Sequence, residues 1–564
     1  MRRRDKSFAS LITQLYLSNN SFELGDERSI ELFGQVKNSS FAIGQMEYDT
    51  VVLPNLITVQ STTAKILKEF MSCGGRVIVL GSSPTMLDGK EDINGALHFL
   101  DSAETASSSD ILLSILPKSD YRFNCEYDDR SVFIRKSDDE NESFFFLFNS
   151  DCSDSRPGVL TVNGTVNAEI WDGFERSRTP VFCEYSEGNT RIPLTIPCGG
   201  SIMLHTKRSE SSENSVAPLQ HTETKLALNN RWETERENKN VLLLEFCRYK
   251  KGDGEYSHEY PVLGIHEKLT AENYHGTLTQ KFVFSSEECF GGLSLALEDA
   301  QMHSIRFNGQ EIPTEVTGYY LAKAFEIVDL PKCQKGQNVI ELTCEYAPLE
   351  KMKSSIGSLF QTRKGVELES IYLLGDFAVK TVQEPERGGN LRYSRNMSIA
   401  NEPRVAYGEL TRAGYPFYAG TIKLSQKFEC PKALCDGEKV FFSLDELDAS
   451  HCHISVNGIP CGCIHTPPYR SDITNALKNG ENILEIQLVN TLRNLLGPYH
   501  RPFGEIGNHF GGGYKYPDAA WAAASPEWYE NRIPDTAEWT DSYMLNRLGV
   551  KGAAIICCSD KSYH

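Results

Sequence analysis

The chain has 564 residues, with 76 Asp and Glu against 57 Lys and Arg and a formal net charge of -19. That acidity offers nothing to pair with phosphate backbones or anionic lipid, so nucleic acid and anionic membrane are excluded as partners and neutral ligands fit better. The length predicts roughly three to five domains, and 40% hydrophobic with 10% aromatic residues is globular composition.

The start, MRRRDKSFASLITQLYLSNN, has a basic lead, but Ser10, Thr13 and Gln14 break its apolar stretch, so it does not read as a signal peptide. No apolar run reaches the roughly 18 residues of a membrane span, and the expected location is the cytoplasm. The sixteen cysteines stand mostly singly in apolar stretches such as LEFCRYK and IELTCEY, where they serve as small hydrophobes. A disulfide framework is not expected, with Cys452 and Cys463, and the adjacent Cys557 and Cys558, left open.

Residues 1–117 alone show an α/β rhythm. YDTVVLPN (48–55) reads as a buried strand and STTAKILKEFMSCGG (61–75) as a helix with Ile66, Leu67, Phe70 and Met71 on one face, capped within Ser61 to Thr63 and stopped at Gly74 and Gly75. RVIVLG (76–81) completes a βαβ unit. Its loops carry no G-x-G-x-x-G, phosphate loop or nucleophile elbow, so it reads as scaffold.

From 118 the period becomes two. RSVFIRKS, ESFFFLFNS, GVLTVNGTVNAEIWDG and RIPLTIPCGGSIMLHTK are short strands between Gly, Asn, Asp and Pro, which predicts an antiparallel sandwich over 118–208, followed by a polar linker. Beyond it lies an internal repeat. YHGTLTQKF (274–282) is echoed by YAGTIKLSQKF (418–428), MHSIRFNGQEI (302–312) by CHISVNGIPC (452–461), and KGQNVIEL (335–342) by NGENILEI (479–486). Three blocks in one order predict two related β domains, at 219–380 and 381–564. The predicted fold class is mainly β and multidomain: a small α/β unit, then three antiparallel β-sandwich domains, the last two jelly rolls.

HCHISVNGIPCGCIH (451–465) gathers three histidines and three cysteines. Asn457-Gly458 predicts a two-residue hairpin turn pairing 456 with 459, 454 with 461 and 452 with 463. That puts Cys452, Cys461 and Cys463 on the apolar face and His451 and His453 on the other. Cys461 and His465, four residues apart on one strand, lie roughly 13 Å apart, too far to share an ion. No metal site is expected.

With these blocks in view, the chain resembles the non-catalytic C-terminal half of large bacterial glycoside hydrolases. The similarity is to α-L-rhamnosidase-like proteins of glycoside hydrolase family 106 and to relatives with a family 2 type sugar-binding domain. It rests on EYDTVVLPN with GGRVIVLG, on AEIWDG before RIPLTIPCGGSIML, and on ESIYLLGDFAVK, GYPFYAGT and LRNLLGPYH. The resemblance implies an amidotransferase-like unit followed by galactose-binding-like sandwiches. In such enzymes a catalytic barrel precedes these modules. A (β/α)₈ barrel takes about 250 residues of alternating strands and helices, and this sequence has no such stretch.

Glycoside hydrolysis needs two carboxylates about 5 to 9.5 Å apart, a pair that strands and turns do not reveal. Asp172, Asp376 and Glu505 stand in the family-like motifs WDG, LGDF and RPFGEIG and are read as turn or strand-end residues, so no catalytic residue is assigned. The candidate ligand surface is the Gly- and Pro-containing stretch 498–543, which holds three of the five tryptophans. Trp521, Trp528, Tyr529 and Trp539 are candidates for stacking on the apolar faces of sugars. Two functions are carried forward: a carbohydrate-binding and scaffolding region of a glycoside hydrolase whose catalytic barrel lies elsewhere, or a self-sufficient glycosidase with its site between sandwiches. Partners would be an oligosaccharide or plant glycoside and a catalytic barrel domain or subunit. No cofactor is expected, with structural calcium left open because carbonyl ligands leave no sequence trace.

Overall fold

The computed structural model describes residues 2–125, 131–173, 176–209, 221–348, 365–366, 368–387, 390–431, 439–497, 499–500 and 540–560. The chain is mainly β and divides into two units, Met1–Gln220 and His221–His564.

In the first unit the βαβ element forms as its periodicity dictates. Strands Thr50–Pro54 and Arg76–Leu80 pair in parallel, with a third parallel strand, Glu104–Ala106, that the sequence reading missed. The connecting helix Ser61–Ser72 buries Leu67 and Phe70 against Val77 and Val79, and Ile66 and Met71 pack partly buried beside them. It ends where Gly74 adopts φ +85 and Gly75 N–H bonds back to the Phe70 carbonyl, a left-handed stop that favours glycine. Helix Arg2–Leu17 covers the opposite face of the sheet through Leu11 and Leu15, which join Ile78, Leu80 and Leu112. Both faces of the parallel sheet are thereby buried, as such sheets require.

The same unit contains an antiparallel sandwich. Strands Tyr121–Cys125, Arg156–Asn163, Asn189–Ile196 and Glu184–Ser186 make one sheet; Val132–Asp139, Glu142–Asn149, Ser201–Arg208, Val166–Asp172 and Ser177–Val181 make the other. Phe145, Leu147, Leu160, Ile192, Ile196 and Leu204 fill the space between.

The second unit holds two sandwiches, and their repeat extends to hydrogen-bond detail. Gly276–Ser286 pairs with Gly336–Tyr346, which pairs with Ser304–Phe307; Thr421–Cys430, Gly480–Val489 and His451–Val456 repeat that order. Asn308 donates to Asn338 Oδ1 at 2.8 Å and Asn457 to Asn482 Oδ1 at 2.8 Å, and in each case the fully buried second asparagine donates to two carbonyls of the preceding turn. The Tyr274 and Tyr418 hydroxyls each donate to the carbonyl three residues on.

The expected boundary between these sandwiches needs correction. Within the stretch read as 219–380, His221–Ala227 pairs with Ala554–Asp560 and Trp232–Arg236 with Thr421–Cys430, so both belong to the last sandwich. The other sandwich begins at Asn240–Leu244 and runs through Asn390–Ala400. The chain enters one sandwich, leaves to build a second, and returns. No local pattern announces this, because the pairing partners lie roughly 190 to 340 positions away.

The Asn240–Leu244 sheet is buried on both faces. Leu242 and Leu244 point into its own sandwich. Val241, Leu243, Ala296, Tyr372 and Leu374 point the other way, under Phe417, Ala419, Leu495, Tyr499 and Tyr543.

Candidate ligand-binding site at the roots of residues 501–539

Trp521, Trp528, Tyr529, Trp539 and Glu505 lie outside the described residues, so the site is defined from the residues that lead into and out of that segment. Its two ends meet. Thr540 N–H donates to the His500 carbonyl at 2.8 Å, and Met544 N–H donates to the Tyr499 carbonyl at 2.6 Å. Tyr543–Leu545 pairs with Leu391 to Tyr393 at the edge of the neighbouring sheet, and the Ser542 hydroxyl donates to Glu384 at 2.7 Å. His500 and Thr540, which bound 501–539, are therefore held together at one point.

That point rests on a buried ion-pairing group. His500 Nε2 lies 3.0 Å from Glu245 Oε2, with side chains 3% and 4% exposed, and His500 Nδ1 lies 2.8 Å from the Thr540 carbonyl oxygen. The carbonyl can only accept, so Nδ1 carries a hydrogen; Nε2 faces a carboxyl, so one further proton lies between Nε2 and Glu245. The pair is neutral overall whichever atom holds that proton, which makes its burial tolerable.

Phenols surround it. Tyr543 packs 5.0 Å from His500, and Tyr499 packs 5.7 Å from Tyr543. Burial first, and neighbouring phenols and carboxylates after it, raises the Tyr372, Tyr499 and Tyr543 hydroxyls above their ordinary range, so all three remain hydrogen-bond donors at neutral pH. The Tyr499 hydroxyl donates to the Leu495 carbonyl. Tyr320 and Phe325 flank Tyr372 at 6.4 and 5.5 Å, and the Tyr320 hydroxyl has no hydrogen-bond partner among the described residues. Arg395 lies over Phe246 and pairs with Glu259 at 3.0 Å and Asp541 at 3.4 Å. The result is a buried aromatic junction edged by phenols and carboxylates, which anchors the two ends of the segment rather than offering a ligand surface of its own.

Asp172 ends strand Val166–Asp172, and the exposed Asp376 accepts from Arg236 at 3.2 Å beside the Arg236–Glu402 pair. Neither joins this group. Sequence reasoning missed Glu245, Tyr372, Tyr499, His500 and Tyr543. The one signal available was that PYH and TDSY flank the aromatic segment directly.

The hairpin at 451–465 departs from its expected register. Val456 opposes Ile459 as expected, but the pairing slips after Ser455, so Ile454 opposes Gly462, His453 opposes Cys463 and Cys452 opposes Ile464. Gly462, at φ +121, permits the bulge. Cys452 stays in the core, Cys461 is half-buried, and Cys463 is exposed on the histidine face. The opposite-face argument against a metal thus fails for Cys463. Among the described residues, however, no group of three or more His, Cys, Asp or Glu is placed to hold a metal ion.

No family model matches the chain. A curated relative, a putative beta-glucuronidase of Formosa agariphila, is 29% identical over 92 residues, which is 16% of this chain and 8% of that protein. Among solved structures, a rhamnosidase from Novosphingobium sp. PP1Y aligns over 93% of this chain and 35% of its own at 13% identity and a TM-score of 0.41. A GH2 beta-galacturonidase from Eisenbergiella tayi covers 45% of this chain and 38% of its own at 11% identity and 0.18. A beta-D-glucuronidase from Dictyoglomus thermophilum covers 46% and 42% at 13% and 0.17. These matched proteins are glycoside hydrolases by name. The chain spans under a tenth of the curated relative and about a third of the rhamnosidase, and no family is assigned from likenesses this low.

Proposed function

We propose that the chain is a carbohydrate-binding and scaffolding region of a glycoside-degrading enzyme, with catalysis supplied by a barrel outside it. Residues 501–539 supply the sugar contacts through Trp521, Trp528, Tyr529 and Trp539. The observation that carries the proposal is the buried Glu245–His500–Thr540 junction, which holds together the residues on either side of that aromatic-rich segment, beside a buried cluster of phenols. Binding residues on a loop held by a rigid scaffold is a common division of labour. The proposed setting is the cytoplasm. The described cysteines other than Cys430, Cys557 and Cys558 are free thiols, and no helix among the described residues is long and apolar enough to cross a membrane.

The test is an assay with aryl glycosides, including the α-L-rhamnoside, alongside glycan binding. Binding without turnover above buffer is the expected result. Turnover abolished by a single Asp or Glu substitution would replace this proposal with the self-sufficient glycosidase, whose site would then lie between the sandwiches of the second unit.

A further inference from the structure

In the first unit, the outer face of one sandwich sheet is apolar where a solvated antiparallel face would be polar. Phe144, Phe146 and Phe148 point outward from strand Glu142–Asn149 while Phe145 and Leu147 fill the core. Phe146 is 42% exposed, and its neighbours across the sheet, Met203 and Arg135, are exposed too. Phe133 stacks on Phe148 and meets Tyr16 of helix Arg2–Leu17 at 5.6 Å. Between this face and the helix runs a groove of about 2400 Å³, whose second wall is formed by Phe8, Ile12, Tyr16, Leu24 and Met46.

We propose that this groove docks an amphipathic α-helix of a polypeptide partner, with the helix's outer face basic. This surface belongs to the first unit, and its test does not depend on glycan binding. Three observations choose the occupant. The volume exceeds the roughly 300 to 1,000 Å³ of small-ligand pockets. A helix about 10 Å across has a cross-section of about 80 Å², so the groove accommodates about 30 Å of it, or about 20 residues. Apolar walls on two sides match the apolar face of such a helix, as in helix-in-groove recognition. Charge sets the third choice: seven carboxylates line the groove against four cations, and three of those cations, Arg28, Arg135 and Lys136, already pair with Glu31, Glu23, and Asp120 and Asp138. The exposed Asp49 is left to meet a basic rim, while the half-buried Glu27 accepts the Gln60 N–H at 2.7 Å.

The experiment titrates the full chain with three labelled probes: an amphipathic Leu/Lys peptide of about 20 residues, its Leu/Glu counterpart, and cellohexaose. The expected result is saturable binding of the Leu/Lys peptide alone, weakened about tenfold or more by Phe146→Glu on the floor and by Phe8→Glu on the wall, with melting temperatures unchanged. Both substitutions add negative charge, so adhesion by surface charge alone would strengthen where groove binding weakens. No binding of the Leu/Lys peptide, equal binding by both variants, or equal binding of the Leu/Glu peptide overturns the proposal. Binding of cellohexaose that is lost in Phe146→Glu also overturns it, in favour of a glycan platform.

Discussion

At the scale of single residues, the Glu245–His500 pair organises the candidate site. Glu245→Leu should cost about 3 to 5 kcal/mol, because it removes the buried carboxyl that faces His500 Nε2. Glu245→Gln keeps a hydrogen-bonding group at Nε2 and should cost about 1 kcal/mol. Chemical denaturation of both variants checks the ordering, and equal costs would show that the pair is not the anchor. Glu409 gives a pH-dependent case. Burial holds its carboxyl above the ordinary range, partly offset by Thr411 and by Arg412, whose Nε lies 2.9 Å from Oε2. A raised folded-state value means that the unfolded chain ionises first as pH rises, so the contribution of Glu409 to stability is full below the ordinary carboxylate range and falls above it. Glu409→Gln should therefore raise the melting temperature at pH 7 and leave it nearly unchanged near pH 4, read from melts of both proteins across that range.

At the scale of elements, the hairpin shows where sequence reasoning held and where it broke. Asn457-Gly458 set the turn, and Cys452, Ile454 and Val456 point inward as their alternation says. The bulge at Gly462 was not legible, because a glycine inside a strand pattern fits either regular pairing or a one-residue slip. The slip has a chemical readout: Cys463 should react with iodoacetamide in the native protein while Cys452 stays protected, as peptide mass spectrometry would show. Protection of both would restore the regular register. The paired asparagines make the repeat testable as well. Asn338→Ala and Asn482→Ala each strand a buried turn, and each should cost about 1 to 3 kcal/mol. Similar losses in denaturation midpoint are expected for both, and a cost in only one would mean that the two turns are not equivalent.

For the whole molecule, the mainly β architecture and the repeated strand order were legible because periodicity and turn residues are local signals. The interleaving of the two sandwiches in the second unit was not, since it depends on the first two strands of that unit pairing with strands roughly 190 to 340 positions later. Trp232 records it: the side chain is fully buried in the last sandwich although the residue precedes the other one. Trp232→Ala should cost about 3 to 5 kcal/mol, and hydrogen exchange should show protection lost across 405–560 rather than 240–400. Of the candidate site, the aromatic segment was visible in composition. Its anchor was not, because Glu245 and His500 lie 255 positions apart and gain meaning only when the fold joins them.

The central claim is that residues 501–539 bind glycan from a fixed base. The most direct measurement is calorimetric titration of a glycan-array hit into the wild-type chain and into Trp521→Ala and Trp528→Ala, with a melt of each protein. The account predicts affinity weakened by about 1 to 3 kcal/mol in at least one variant, the scale of a lost aromatic contact, with melting temperatures unchanged. Unchanged affinity together with a stability loss of about 3 to 5 kcal/mol, as for a large core truncation, would contradict it and make these rings packing residues.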